Sequence, residues 1–207
     1  MSIRVIFWDI GGVVLTNGWD TDQRARVLGR LGINVDAYEE VHSRANYYWE
    51  RGLMSAREFF AQTVLHPNPG ISLSFESLWP QVCAESKVLH PECMDLLAEL
   101  KLLPMLRLAT LNNESRELND ARLDMFKLRN LFDFFICSGY VHEMKPLPGI
   151  YRSAVEISGF DAQSTLFIDD KRENCEAARA IGMHAIRFID PPQLRAALIA
   201  YGVGLTG

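Results

Sequence analysis

The chain has 207 residues, 48% of them hydrophobic and 23% charged, and its net charge is −5. This is the composition of a globular domain large enough to bury a core, and the interspersed charges form no basic patch for nucleic acid or an anionic membrane. The apolar runs are too short to span a membrane and the N-terminus lacks a charged and then apolar signal region, so we expect a cytoplasmic protein.

The first predicted element is a buried strand that ends at a carboxylate. Residues 3–14 read IRVIFWDIGGVV, and apart from Arg4 nothing before Asp9 is polar enough for a solvated element. A strand that is apolar on both faces is typical of a parallel sheet. Asp9 would then follow this strand, at the edge where open α/β sheets bind their ligands. It is therefore a candidate nucleophile or metal ligand.

The region from about residue 20 to residue 87 is predicted to be entirely helical. Asp20 or Thr21 caps its first helix, and Ser55 with Glu58 forms a capping box before a later one. Because a run of helices after the first strand has no place within a sheet, we interpret it as an insertion that caps the strand ends.

From residue 91 onward, predicted strands and helices alternate. The later strands are predicted at Met105–Leu111, Phe134–Ser138, Thr165–Ile168 and Ala185–Phe188. Short strands separated by helices indicate right-handed crossovers and a parallel sheet with helices on both faces. The predicted fold class is therefore α/β, with a three-layer parallel sheet core and a helical cap subdomain.

Polar side chains follow three of these later strands. They are Asn112-Asn113, Lys145-Pro146 and Asp169-Asp170. Adjacent amides before a helix suit an anion, a lysine neutralises phosphate or keeps a carboxylate ionised, and paired acids suit a hard cation. Each pair alone is also typical of an ordinary turn, helix start or solvated surface. Parallel strands bring all of them to the edge that holds Asp9, and this convergence favours a phosphate and metal site.

On these residues the chain resembles the haloacid-dehalogenase-like (HAD) hydrolase superfamily, specifically its phosphatase branch with a small helical cap inserted after the first motif. The matching segments are FWDIGGV at 7–13, LNN at 111–113, MKP at 144–146 and FIDDKRENCEAARAIGM at 167–183. The resemblance covers essentially the whole chain. It implies a Rossmann-like core of residues 1–16 and 88–207 and a cap of residues 17–87.

The resemblance also implies a nucleophile and a metal. Asp9 would attack phosphorus to form an aspartyl-phosphate that water then hydrolyses. Mg²⁺ would be held by Asp9, by the backbone carbonyl of Gly11 and by Asp170.

Further roles carry over from the same motifs. Asn112, Asn113 and Lys145 would hold the phosphate oxygens, and Lys145 also assists catalysis because its charge lets an anionic nucleophile approach an anionic substrate. Asp169 and Asn174 would lie behind the metal ligands, where Asp169 orients Lys145 or a metal-bound water.

The chain departs from the family pattern at Gly11. Most family phosphatases have a second Asp there, which protonates the leaving alcohol and then activates water, a contribution of about 10²–10⁴ in rate. Three outcomes stay open: a good leaving group such as an acyl phosphate or a sugar 1-phosphate, a substitute acid (Glu114, Asp20 or Asp22), or vestigial catalysis. Asn112 also replaces the usual Ser or Thr, a milder change because an amide still donates a hydrogen bond.

Three functions follow. The favoured one is a magnesium-dependent phosphatase of a small phosphorylated metabolite, because Asp9, Lys145 and the two later acids are all present. The second is a 2-haloacid dehalogenase, in which the same Asp displaces halide without a metal. The third is a binding protein with weak or no turnover. We expect no nucleic-acid or membrane partner, and a monomer or homodimer.

Two residue sets are assigned to packing. The cap aromatics should mostly form the core of the cap, with one or two joining Arg44 or Asn46 at a substrate pocket; they are Trp19, Tyr47, Tyr48 and Trp49. The cysteines lack CxxC spacing, which favours reduced, mostly buried thiols over a disulfide or zinc set; they are Cys83, Cys93, Cys137 and Cys175.

Overall fold

The computed structural model describes residues 2–205, which contain one parallel sheet of five strands. The strands are β1 (Val5–Trp8), β2 (Arg107–Asn112), β3 (Phe134–Cys137), β4 (Thr165–Asp169) and β5 (His184–Arg187). Their order is β3-β2-β1-β4-β5, and β1 pairs in parallel with both β2 and β4. The central strand β1 is buried along its whole length, as its apolar sequence predicts.

Helices cover both faces of the sheet, so the predicted three-layer α/β core is confirmed. They are α5 (Pro91–Lys101), α6 (Arg116–Met125), α7 (Ser138–Val141), α8 (Pro148–Ser158), α9 (Arg172–Ala180) and α10 (Pro191–Ala200). Side chains of β1 alternate between the two faces, as the period of a strand requires. Ile6 and Trp8 pack with α5 and α10, whereas Val5 and Phe7 pack with α8 and α9.

Four α-helices lie between β1 and α5. They are α1 (Thr21–Arg30), α2 (Val35–Glu50), α3 (Ala56–Phe60) and α4 (Phe75–Ala84), and a π-helical turn, Ala61–Leu65, extends α3. Asp20 caps α1, and the capping box of Ser55 and Glu58 begins α3, both as predicted. The helical character predicted for this stretch is therefore confirmed, while the cap boundaries at residues 17 and 87 stay a prediction.

The insertion has its own hydrophobic cluster, to which α6 adds Leu118. Trp19 and Trp49 belong to this cluster, as predicted. Tyr47 and Tyr48 do not, because they are about half exposed. The buried face of α2 runs through residues 38, 42, 45 and 49. At helical spacing residue 47 points away from this face and residue 48 lies at its margin.

The end of α2 touches the core beside α7. The Ser138 hydroxyl donates to the carbonyl of Glu50 at 2.6 Å. Arg51 donates to the carbonyl of His142 at 2.8 Å, and the His142 ring lies 2.7 Å from the carbonyl of Arg51. Gly52 has φ +64°, and a Cβ there would overlap the carbonyl oxygen of Gly139. This junction therefore depends on a glycine.

All four cysteines are free and buried, in agreement with the sequence. Within residues 2–205, none of the helices has the length and apolar character needed to cross a membrane.

Candidate active site

Asp9 lies just beyond the end of β1. Its N–H donates to the carbonyl of Ile168 at 2.9 Å, and its Oδ1 accepts the N–H of Ile10 at the same distance. The chain then turns tightly, because Val14 and Leu15 both donate to the carbonyl of Ile10. These bonds hold the Asp9 carboxylate at the carboxyl edge of the sheet.

Gly12 is required for this turn. Its φ is +76°, and a Cβ there would lie 2.7 Å from Oδ2 of Asp170. A residue with a side chain would therefore strain the backbone and displace a carboxylate of the site.

Lys145 connects two of the carboxylates. Its ammonium group lies 3.0 Å from Oδ1 of Asp9 and 2.7 Å from Oδ2 of Asp169, and all three side chains are nearly inaccessible to solvent. Asn113 holds the backbone of Lys145 from both sides: its Nδ2 donates to the Lys145 carbonyl and its Oδ1 accepts the Lys145 N–H, each at 2.9 Å.

Asp169 has bonds at both of its oxygens. Lys145 binds Oδ2, the backbone N–H of Lys171 binds Oδ1 at 2.8 Å, and Nδ2 of Asn174 lies 3.0 Å from each oxygen. Asn174 is on the first turn of α9, and its carbonyl accepts the hydroxyl of Tyr151. Asp169 thus orients Lys145.

The carboxylates of Asp9, Asp169 and Asp170 lie close together at the carboxyl edge of the sheet. Each offers an oxygen, and these three oxygens lie within 4.8 Å of one another. Oδ1 of Asp170 is buried and has no hydrogen-bond partner among the described residues. Because Asp169 is saturated by its neighbours, Asp9 and Asp170 are the acids with oxygens available to a hard cation.

Burial and mutual repulsion govern the charges. Burial raises the pKa of Asp9 to about 7, a shift that Lys145 opposes and Asp169 reinforces. Burial and Asp169 also raise the pKa of Asp170. For Lys145, burial lowers the pKa, but Asp9 and Asp169 outweigh it and the net shift is upward. Lys145 is thus held as a cation among three acids, and an added positive charge would relieve their repulsion.

Asn112 lines the pocket and ends a chain of hydrogen bonds that starts at Tyr140. The Tyr140 hydroxyl donates to Asp120 at 2.7 Å and accepts Nδ2 of Asn119 at 2.8 Å. Oδ1 of Asn119 then accepts Nδ2 of Asn112 at 3.0 Å. One N–H of the Asn112 amide is left for a ligand, and its buried Oδ1 has no partner within residues 2–205. The phosphate contacts predicted for Asn112 and Asn113 stay predictions.

A small pocket of about 50 Å³ opens on Asp9. Its lining residues are Asp9, Gly11, Asn17, Gly18, Asn112, Asn113, Arg122, Lys145, Lys171 and Asn174. The sequence prediction missed four of these: Asn17, Gly18, Arg122 and Lys171. Only Lys171, directly after the acid pair, carried a sequence signal. The residues that line this pocket include no cap aromatic and neither Arg44 nor Asn46.

A family model described as "haloacid dehalogenase-like hydrolase" matches residues 3–182. The chain belongs to this family. Phosphoglycolate phosphatase of Pseudomonas putida is 26% identical over 192 residues, which are 88% of this chain and 68% of the relative. This HAD protein is therefore a hydrolase whose curated relatives include a phosphatase.

Solved HAD structures share the fold. A HAD family enzyme from Bacteroides thetaiotaomicron, in complex with magnesium and inorganic phosphate, has a TM-score of 0.71 and 21% identity and covers 89% of this chain and 93% of its own. L-2-haloacid dehalogenase from Xanthobacter autotrophicus has a TM-score of 0.61 and 19% identity and covers 98% of this chain and 84% of its own. At these identities the likeness concerns architecture alone.

None of the three candidate substitutes for the acid missing at Gly11 lines the pocket of this HAD hydrolase. Glu114 is buried, where its carboxylate accepts Arg122 at 2.7 Å and the N–H of Ser115 at 3.0 Å. Asp20 accepts the N–H of Gln23 as the cap of α1, and Asp22 is exposed in the same helix.

Proposed function

We propose that this HAD hydrolase is a magnesium-dependent phosphatase of a small phosphorylated metabolite and acts through an aspartyl-phosphate on Asp9. The observation that carries the proposal is the convergence of Asp9, Lys145 and Asp170 at the carboxyl edge of the sheet. Asp9 and Lys145 line one pocket, and a carboxylate oxygen of Asp170 lies within 4.8 Å of one of Asp9. A buried oxygen of Asp170 has no partner among the described residues. The phosphatase relative supports this choice of reaction.

Asp9 would attack phosphorus, and the substrate oxygen would leave with the electrons of the broken P–O bond. Lys145 contributes a fixed positive charge 3.0 Å from the nucleophile, which lowers the repulsion between two anions. Asp169 and Asn113 keep Lys145 in place. Mg²⁺, held by Asp9, Asp170 and the carbonyl of Gly11, would neutralise charge on the transferring phosphate. Water would then release phosphate from Asp9.

The dehalogenase alternative uses the same nucleophile on carbon. It gives no role to Asp170, whose carboxylate is half-buried with one oxygen unpartnered in the described part of the chain. The phosphatase uses that oxygen as a metal ligand, so the phosphatase accounts for more of the site. A binding protein without turnover would leave the Lys145–Asp9 pair without a reaction to perform.

The test is phosphate release from a panel of phosphorylated metabolites and acyl phosphates, including phosphoglycolate, with magnesium or with chelator. Asp9→Asn removes the nucleophile, and Asp95→Asn on the exposed face of α5 is the matched control. We expect release that requires magnesium, is lost in Asp9→Asn and is unchanged in Asp95→Asn. Halide release from 2-haloacids in chelator would favour the dehalogenase, and ligand binding without any release would favour the binding protein.

A further inference from the structure

Asn17 fills the space that a side chain at position 11 would take. A Cβ built on Gly11 would lie 2.8 Å from Oδ1 of Asn17, 3.5 Å from its Cα and 3.7 Å from its Cγ. Gly11 and Asn17 both line the pocket that opens on Asp9. Where family phosphatases have an acid, this chain therefore has a neutral amide from a residue six positions later.

The backbone around Asn17 is held firmly. Nε2 of Gln23 donates to the carbonyl of Asn17 at 2.7 Å, and the Arg122 guanidinium donates to the carbonyl of Thr16. The next residue, Gly18, lies so close to the Arg122–Glu114 pair that a Cβ would overlap Oε2 of Glu114. The buried ion pair thus fixes the backbone of the segment that carries Asn17, and this segment places Asn17 at the pocket that opens on Asp9.

We propose that Asn17 hydrogen-bonds the leaving oxygen of the substrate and that the site is matched to phosphates whose leaving group departs without a proton, acyl phosphates above all. This inference rests on the proposed function. Attacking and leaving oxygens lie roughly in line in phosphoryl transfer, so the leaving oxygen faces away from Asp9. Asn17 lines the pocket from the segment that leads into α1. Its amide N–H can donate a hydrogen bond there but cannot transfer a proton to the leaving group.

The chemistry balances without an acid. The Asp9 carboxylate forms a bond to phosphorus, the P–O bond to the acyl group breaks, and the electron pair leaves on a carboxylate. In the second step water attacks phosphorus, the bond to Asp9 breaks and restores its carboxylate, and the proton of the water passes to a phosphate oxygen. An alkyl phosphate would instead expel an alkoxide, which requires a proton that an amide cannot supply.

The first experiment compares acetyl phosphate with glycerol 3-phosphate at fixed magnesium. Asn17→Ala should lower kcat on acetyl phosphate about 10- to 100-fold with KM changed by less than about threefold, because charge develops on the leaving oxygen only in the transition state. The matched control is Asn130→Ala, whose exposed side chain lies outside the pocket. Circular dichroism of each variant checks the fold.

The second experiment adds an acid at the same place. Asn17→Asp should raise kcat for glycerol 3-phosphate relative to acetyl phosphate, with a new fall in rate at the high-pH end where the added carboxyl loses its proton. Gly11→Asp alone should gain little, since its Cβ meets Asn17 at 2.8 Å. The double variant Gly11→Asp/Asn17→Ala should therefore have a higher kcat on glycerol 3-phosphate than either Gly11→Asp or Asn17→Ala alone.

The outcomes separate the two proposals. If wild-type protein releases phosphate but Asn17→Ala behaves like Asn130→Ala and Asn17→Asp leaves the substrate ratio unchanged, the inference is wrong and the phosphatase stands. Equal wild-type kcat on both phosphates also overturns the inference. If wild-type protein releases phosphate from no substrate, both proposals fail. Should Asn17→Ala not fold, the substrate ratio and pH profile of Asn17→Asp decide.

Discussion

Among individual residues, Asn113 shows how a side chain can act on a site through a neighbour. Its amide is bonded to both backbone groups of Lys145, 32 positions away in the chain. The ammonium of Lys145 then lies between Asp9 and Asp169 at hydrogen-bond distance from each. The position of the Lys145 ammonium between these two acids is therefore set by an amide on a different strand end.

Glu114 gives a pH dependence of stability. Burial raises its pKa from 4.5 to about 7, although Arg122 opposes the shift. Between those pH values the folded state keeps a proton that the unfolded state has released, so the free energy of unfolding should fall as pH rises from about 4.5 to 7. Urea denaturation across this range should show the fall in wild-type protein.

Glu114→Gln removes the titrating group and keeps an acceptor for Arg122. Its unfolding free energy should change less between pH 4.5 and 7 than that of the wild type, with Glu156→Gln, an exposed position on α8, as the control. If the unfolding free energy of Glu114→Gln falls with pH as steeply as that of the wild type, groups other than Glu114 cause the pH dependence.

At the scale of elements, the sequence predicts the four later strands to within about two residues at each end, because each is a short apolar run between predicted helices. It misses α7, since four residues, Ser138–Val141, carry no periodicity. It also misses Arg122, whose bond to Thr16 spans 106 positions and arises only when α6 packs beneath the insertion. Site residues that directly follow a strand can be recognised in the sequence. Residues that reach the pocket only through tertiary packing, such as Arg122, cannot.

The junction between α2 and α7 predicts a specific cost for Gly52→Ala. The positive φ at position 52 should lower the unfolding free energy of the variant by about 1–2 kcal/mol. Overlap of the new Cβ with the carbonyl oxygen of Gly139 should lower it further. Gly159→Ala is the matched control, because Gly159 has φ +72° and a Cβ there meets nothing within 4 Å. Chemical denaturation should show a larger loss of unfolding free energy in Gly52→Ala than in Gly159→Ala. Equal losses would mean that the junction adapts to the new side chain without losing stability.

For the whole molecule, the carboxylate cluster should lower stability in the absence of a bound cation. Three acids lie together near Lys145 at the carboxyl edge of the sheet, and burial with mutual repulsion raises the pKa of Asp9 and Asp170. A cation that binds only the folded state would offset this cost. The native protein should therefore be less stable without magnesium than with it.

Asp170→Asn tests this balance in two directions. Magnesium at about 100 times its dissociation constant should stabilise the wild type by about 2.7 kcal/mol and the variant by much less. In chelator the variant should be at least as stable as the wild type, because one of the crowded charges is gone. Thermal unfolding with magnesium and with chelator measures both effects, and Asp95→Asn is the control variant. Equal magnesium stabilisation of all three proteins would remove Asp170 from the ligand set.

The strand order has a consequence for synthesis on the ribosome. β1 lies at the centre of the sheet, yet its neighbours β2 and β4 are translated about 100 and 160 residues after it. The helices from Thr21 to Ala84, by contrast, pack largely on one another and emerge together. In a nascent chain the insertion should thus become compact before the strand that precedes Asp9 finds its partners, and the carboxyl edge of the sheet is completed only after β4 has been synthesised.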